Sequence, residues 1–155
     1  STGSVLGIWK KMLKNQGYFG TTGPEMFRYF FTVDEAVNLV LTALHNAPQL
    51  YGKVLSREMK AAQLEDILKV WSKQENVEYK KIEGRPGERL EEFLIGDAEL
   101  EYTEEVVFDK IKHYILSFNE KPNNPLKEVL SSRTAEKLTD EEIKNIINNP
   151  PYEEL

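Results

Sequence analysis

Apolar side chains recur at helical spacing along several stretches of the chain and gather in short runs between them. Val5, Ile8, Trp9, Met12 and Leu13 mark one side of a helix that Ser4 can cap and that runs to about Gln16, where Gly17 ends it. Tyr18 to Thr21 reads as a short strand, and Thr22-Gly23-Pro24-Glu25 as a loop. Met26 to Phe31 is apolar and aromatic apart from Arg28, which predicts a buried strand carrying one charge. Thr32-Val33-Asp34-Glu35 fits a capping box, in which hydroxyl and carboxylate satisfy opening amides of a helix. That helix runs to about Asn46, with Ala36, Val37, Val40, Leu41 and Leu44 at helical spacing.

Lys53 to Leu55 reads as a strand, and Ala61 to Lys73 as a helix that buries Leu64, Ile67, Leu68 and Trp71. Val77 to Ile82 alternates like a strand. Gly84-Arg85-Pro86-Gly87-Glu88 is a turn that leads into a short predicted helix with Leu90, Phe93 and Leu94 inward. Beyond Gly96 the pattern weakens, with strands expected at Val106 to Phe108 and Ile111 to Leu116. Residues 121–125 form a Pro- and Asn-rich loop, and Thr139-Asp140-Glu141-Glu142 opens a last amphipathic helix with Ile143, Ile146 and Ile147. There is no internal repeat and no low-complexity tract.

Composition narrows the picture. At 155 residues and 40% hydrophobic, the chain is the size of one domain and can bury a normal core. Its net charge of −6 argues against a nucleic-acid groove or an anionic membrane surface. A small anionic ligand stays open, because arginines in a cleft outweigh acids more than about 10 Å away at ordinary salt. The absence of cysteine removes disulfides, zinc-thiolate sites and thiol nucleophiles, and two histidines argue against a histidine-rich metal site. No apolar run approaches the length of a membrane span and no secretory signal opens the chain, so the expected setting is cytoplasmic. The start at Ser1-Thr2-Gly3, without Met, suggests a trimmed or excised piece.

Arg28 is the first chemical anomaly. A guanidinium among residues that favour burial needs an anion, which is either an internal carboxylate such as Glu25 or Asp34 or a bound ligand. Arg85 precedes Pro86 at what looks like a helix start, with Gly87 allowing close approach to the backbone and amides favouring negative charge. Its fork matches phosphate oxygens, and Glu88 can accept paired hydroxyls as acids do with ribose. A plain helix start, in which Glu88 merely complements the dipole, fits the same residues. His45 is expected to meet terminal carbonyls of its helix and His113 to be a satisfied core residue. Tyr29, Phe30 and Phe31 read as core, and Glu91-Glu92 and Glu153-Glu154 as solvated surface. No dinucleotide glycine loop, Walker loop, nucleophile elbow or paired metal-ligand motif is present.

Taken together, these segments resemble the C-terminal half of extended short-chain dehydrogenase/reductases that act on nucleotide sugars, and within them UDP-N-acetylglucosamine 4,6-dehydratases, with or without 5-epimerase activity, of capsule and O-antigen synthesis. The resemblance lies in Gly3-Ser4-Val5-Leu6 with Trp9-Lys10-Lys11, in Met26 through Val37, in Arg85-Pro86-Gly87-Glu88-Arg89-Leu90-x-Glu92, and in Ser131 through Leu138-Thr139-x-Glu141-Glu142. It departs at residues 56–61, where the family carries prolines and a lysine, and is weak over 97–118.

The resemblance implies that Arg28 and Arg85 clamp a diphosphate, that Glu88 holds the uridine ribose, and that Ser4 and Val5 border the nucleotide. It also implies an NAD(P)-binding Rossmann half with a Tyr-x-x-x-Lys pair, and neither has a counterpart in this sequence. The expected fold is α/β, a small sheet of short strands flanked by helices: the substrate-binding domain of an extended short-chain dehydrogenase/reductase without its Rossmann half. It is expected to form a single domain over 1–155, with 119–155 open to being a C-terminal extension. The expected function is UDP-sugar binding, with no catalytic residue and no metal or cofactor held by the chain itself. Expected partners are the sugar nucleotide, a Rossmann half and, optionally, a second copy. The alternative is a non-catalytic interaction or oligomerisation module derived from that fold, with both arginines paired internally.

Overall fold

The structure is a computed structural model that describes residues 5–84 and 86–149. The chain is mixed α/β, with small sheets flanked by helices, and divides into two compact units. The first comprises Ser1–Arg28, Ala62–Glu91 and Lys137–Leu155; the second comprises Tyr29–Ala61 and Glu92–Glu136.

In the first unit, α1 (Val5–Gln16) packs on β1 (Phe19–Thr21), which pairs in parallel with β5 (Tyr79–Lys81). The helix α4 (Leu64–Glu75) buries Leu64, Ile67, Leu68 and Trp71, as its periodicity predicts, and packs on α5 (Asp140–Asn148), which buries Ile143. Aromatic rings close this core: Phe19 lies 6.4 Å from Trp9 and 5.0 Å from Trp71 between ring centroids. The Trp9 Nε1–H donates to the Gly20 carbonyl at 2.9 Å, so the one polar atom of a fully buried indole is satisfied. The capping box expected at Thr32/Glu35 forms, and a second closes the expected helix start at Thr139 with Glu142.

The second unit is built on an antiparallel sheet of β3 (Lys53–Arg57), β8 (Ile111–Ser117) and β7 (Thr103–Phe108), in the order β3-β8-β7. The β7–β8 hairpin pairs Phe108 with Ile111 across Asp109 and Lys110, both at positive φ (50° and 66°), the twist that two-residue hairpin loops require. A short antiparallel pair, β6 (Phe93–Ile95) with β9 (Leu130–Ser131), and a 3-10 helix at Asp97–Tyr102 complete this unit with α2 (Val33–His45) and α3 (Ala47–Leu50). β2 (Phe27–Phe30) and β4 (Lys60–Gln63) form a two-stranded sheet of their own.

The structure corrects the expectations for β2, for the 84–88 turn and for α2. β2 is half-buried throughout and not a buried strand. No helix follows the 84–88 turn: Gly87 takes φ +85°, outside the helical region, Leu90 and Phe93 are exposed, and Phe93–Ile95 is a strand. On α2, Val37, Val40, Leu41 and Leu44 face outward, while Ala36, Leu39, Thr42 and Ala43 form the half-buried side, in a helix that packs on α3 and β3. Two apolar faces share this helix, and periodicity alone does not rank them.

Candidate functional site

Arg28 sits on β2, half-buried, and its guanidinium folds back along its own strand. Nη1 donates to the Phe27 carbonyl at 2.7 Å, and Nη2 lies 3.2 Å from the Met26 sulfur. Glu25, one of the two acids suggested for it by sequence, is exposed and pairs with Lys81 at 3.8 Å.

The turn after β5 reaches the same strand. The Phe27 N–H donates to the Leu90 carbonyl at 2.8 Å, which ties β2 to the backbone two residues beyond Glu88 and one residue before Arg28. Glu88 is exposed, and one carboxylate oxygen approaches the Cα of Gly84 so closely that a side-chain carbon there would lie 3.4 Å from it. The same point is 3.8 Å from Thr22, so the turn curls against the loop before β2. With Gly87 at positive φ, only glycine holds this bend without strain. Arg28 and Glu88 therefore stand on adjoining backbone segments. Arg85 and Ser4 lie outside the described residues, and Val5 opens α1, which packs on β1.

Two side chains carry more than the sequence suggests. Glu92, expected on the solvated surface, accepts the Tyr29 N–H at 2.9 Å. Its own N–H donates to Ser132 Oγ at 2.9 Å, and the Ser132 N–H returns to the Glu92 carbonyl at 2.8 Å. The signal was present, since Glu92 closes the Arg85-to-Glu92 motif. Arg57 is buried, 3.6 Å from Glu35 and 5.9 Å above the Phe31 ring, and its Nε donates to the Glu58 carbonyl at 3.3 Å. Nothing in Ser56-Arg57-Glu58-Met59-Lys60 announces that burial.

The remaining titratable groups read as structural. His45 bonds the Leu41 carbonyl at 2.8 Å and buried His113 the Ile111 carbonyl at 2.9 Å, as expected for each. Burial pushes the Tyr114 hydroxyl up to about 12, with the charges of Glu58 and Glu105 adding to it. Burial also lowers the Lys137 ammonium, which lies 5.2 Å over the Phe27 ring, against the opposing pull of Asp66.

A family model described as polysaccharide biosynthesis protein matches residues 1–116, a stretch that contains every candidate residue named for the ligand. The chain belongs to that family. This polysaccharide biosynthesis chain is 32% identical over 161 residues to a Methanocaldococcus jannaschii protein named "Uncharacterized membrane protein MJ1061", covering 98% of this chain and 47% of that one. It is 32% identical over 124 residues to the Staphylococcus aureus capsular polysaccharide biosynthesis protein CapD, covering 74% of this chain and 20% of that one. Among solved structures, Pen from Bacillus thuringiensis shares the fold at a TM-score of 0.78 and 23% identity, over 95% of this chain and 45% of that one. The chain thus spans about half the length, or less, of the relatives it matches. The family match runs through most of 97–118, where the motif resemblance is weak. Among the described residues, no helix is long and apolar enough to cross a membrane.

Proposed function

We propose that the chain serves as one UDP-sugar-binding domain, the substrate half of an NAD(P)-dependent dehydratase or epimerase of polysaccharide biosynthesis, working in the cytoplasm with a separate or fused cofactor-binding half. The observation that supports this reading is the Phe27–Leu90 hydrogen bond, which joins the strand of Arg28 to the segment just after Glu88 within one family-matched stretch. Two guanidinium forks, those of Arg28 and Arg85, grip a diphosphate bidentately, and the Glu88 carboxylate accepts the ribose hydroxyls. Ser4 and Val5 border the nucleotide.

Hydride chemistry requires a nicotinamide site and a general base at the sugar. The chain has neither the glycine loop nor a Tyr-x-x-x-Lys pair, so its own residues bind and orient while the other half supplies the chemistry. Titration calorimetry of the folded chain with UDP and UDP-N-acetylglucosamine tests this reading. Weak, saturable binding that depends on Arg28 and Arg85 is expected, and no heat at millimolar ligand overturns it.

The second reading, a non-catalytic interaction module, draws support from the exposed apolar side of α2. It requires both arginines to be neutralised within the chain and UDP to have no effect.

A further inference from the structure

β2 pairs with β4 along one edge. Amides two residues apart on a strand point to the same edge, so Phe27 and Tyr29 present their N–H groups side by side. Both are taken by the chain that follows Glu88. The Phe27 N–H donates to the Leu90 carbonyl at 2.8 Å, and the Tyr29 N–H donates to a carboxylate oxygen of Glu92 at 2.9 Å.

The first acceptor is backbone and the second is a side chain, and the cause lies at Glu92. Its N–H donates to the hydroxyl of buried Ser132 at 2.9 Å, and its carbonyl receives the Ser132 N–H at 2.8 Å. With its backbone committed to Ser132, Glu92 meets β2 through its carboxylate, which stands in for a strand carbonyl. Without it the Tyr29 amide turns to water and the chain is anchored to the strand at Leu90 alone. Reach matters, because an aspartate falls short by one carbon–carbon bond, roughly 1.5 Å. Arg28 lies between the two anchored amides, and Glu88 lies two residues before Leu90.

We propose that Glu92 is a positioning residue for nucleotide binding: its carboxylate completes the edge of β2 and holds the segment that follows Glu88 beside the strand of Arg28, without touching the ligand. This rests on the UDP-sugar reading above, and it adds a residue that acts through Arg28 and Glu88. Segments that are already held lose less freedom when a ligand arrives, so the second bond shows as affinity.

Three substitutions separate acceptor, charge and reach. Glu92→Gln keeps an oxygen at the same distance and drops the charge, Glu92→Asp keeps the charge and loses the reach, and Glu92→Ala loses both. Amide exchange followed by NMR reads the Tyr29 bond, and calorimetry reads UDP. The Tyr29 amide stays protected in the wild-type and Glu92→Gln and exchanges freely in the other two. UDP binding by Glu92→Gln stays within about twofold of wild-type, and Glu92→Asp and Glu92→Ala bind about fivefold more weakly, the scale of one hydrogen bond. Thermal midpoints move little, since the bond is exposed. Should Glu92→Ala not fold, Glu92→Asp against Glu92→Gln makes the same comparison. Affinity that follows charge instead, with Glu92→Asp like the wild-type and Glu92→Gln like Glu92→Ala, overturns the proposal by making Glu92 a direct electrostatic contact. A lowered midpoint with unchanged affinity overturns it by leaving Glu92 a stabilising role only. Equal UDP binding by all four chains, with Tyr29 unprotected in Glu92→Ala, overturns it and leaves the UDP-sugar reading in place. No UDP heat from the wild-type removes that reading and this proposal together.

Discussion

For an arginine on a half-buried strand, what matters is which oxygens complete its shell. Part of the Arg28 shell comes from its own backbone, through the Phe27 carbonyl, which fixes the guanidinium beside the strand. Under the proposed function, Arg85 supplies the second guanidinium to the diphosphate. Arg85→Ala is expected to weaken UDP binding by about 1.5–3 kcal/mol, the scale of a hydrogen bond to a charged group, as read by calorimetry. Tyr114 offers a separate check on the second unit. Its folded-state pKa, raised from 10.0 to about 12, means that the stabilising preference for the neutral phenol is fully present below pH 10 and is lost as pH climbs through about 12. Thermal midpoints measured across that window should fall for the wild-type and flatten for Tyr114→Phe, a difference on the order of 2–3 kcal/mol at the alkaline end.

At the level of elements, the capping box of α2 gives a clean test. Thr32→Ala removes the acceptor for the Glu35 N–H and should cost about 1 kcal/mol in chemical denaturation. The β7–β8 loop is expected to respond the other way. Asp109→Asn with Lys110→Gly relieves two side chains held at positive φ and should raise the thermal midpoint by several degrees, for a gain of about 1 kcal/mol. What the sequence discloses follows from how local each cause is. The box at Thr32, the helix start at Thr139 and the buried row Leu64, Ile67, Leu68 and Trp71 are set within a few residues, and they were legible. The outward face of α2 was not, because two apolar faces fit one period and only tertiary packing chooses between them. β4 was absorbed into a predicted helix, since Lys60-Ala61-Ala62-Gln63 lacks strand formers and gains its conformation from pairing with β2. At the site, motif spacing flagged Arg28 and Glu88, whereas the bond that the Tyr29 N–H donates to Glu92 spans 63 residues and is set by tertiary packing alone.

For the whole molecule, a net charge of −6 repels an anionic nucleotide at long range, while the proposed arginine clamp would attract it at short range. If the short-range contacts dominate, UDP affinity should fall as salt rises from about 0.05 to 0.5 M, because screening weakens the direct ion pairs. Calorimetry at the two ionic strengths decides it: tighter binding at high salt would mean that bulk repulsion governs and that no arginine clamp is at work. The way the chain is apportioned has a separate consequence. The first unit is assembled from three stretches of sequence and the second from two, with α5 near the C-terminus completing what α1 begins. Neither unit can be obtained by a single cut of the gene, and a protease nick in one stretch leaves its fragment held by packing alone. Recombination can therefore pass this domain between proteins only as an undivided block.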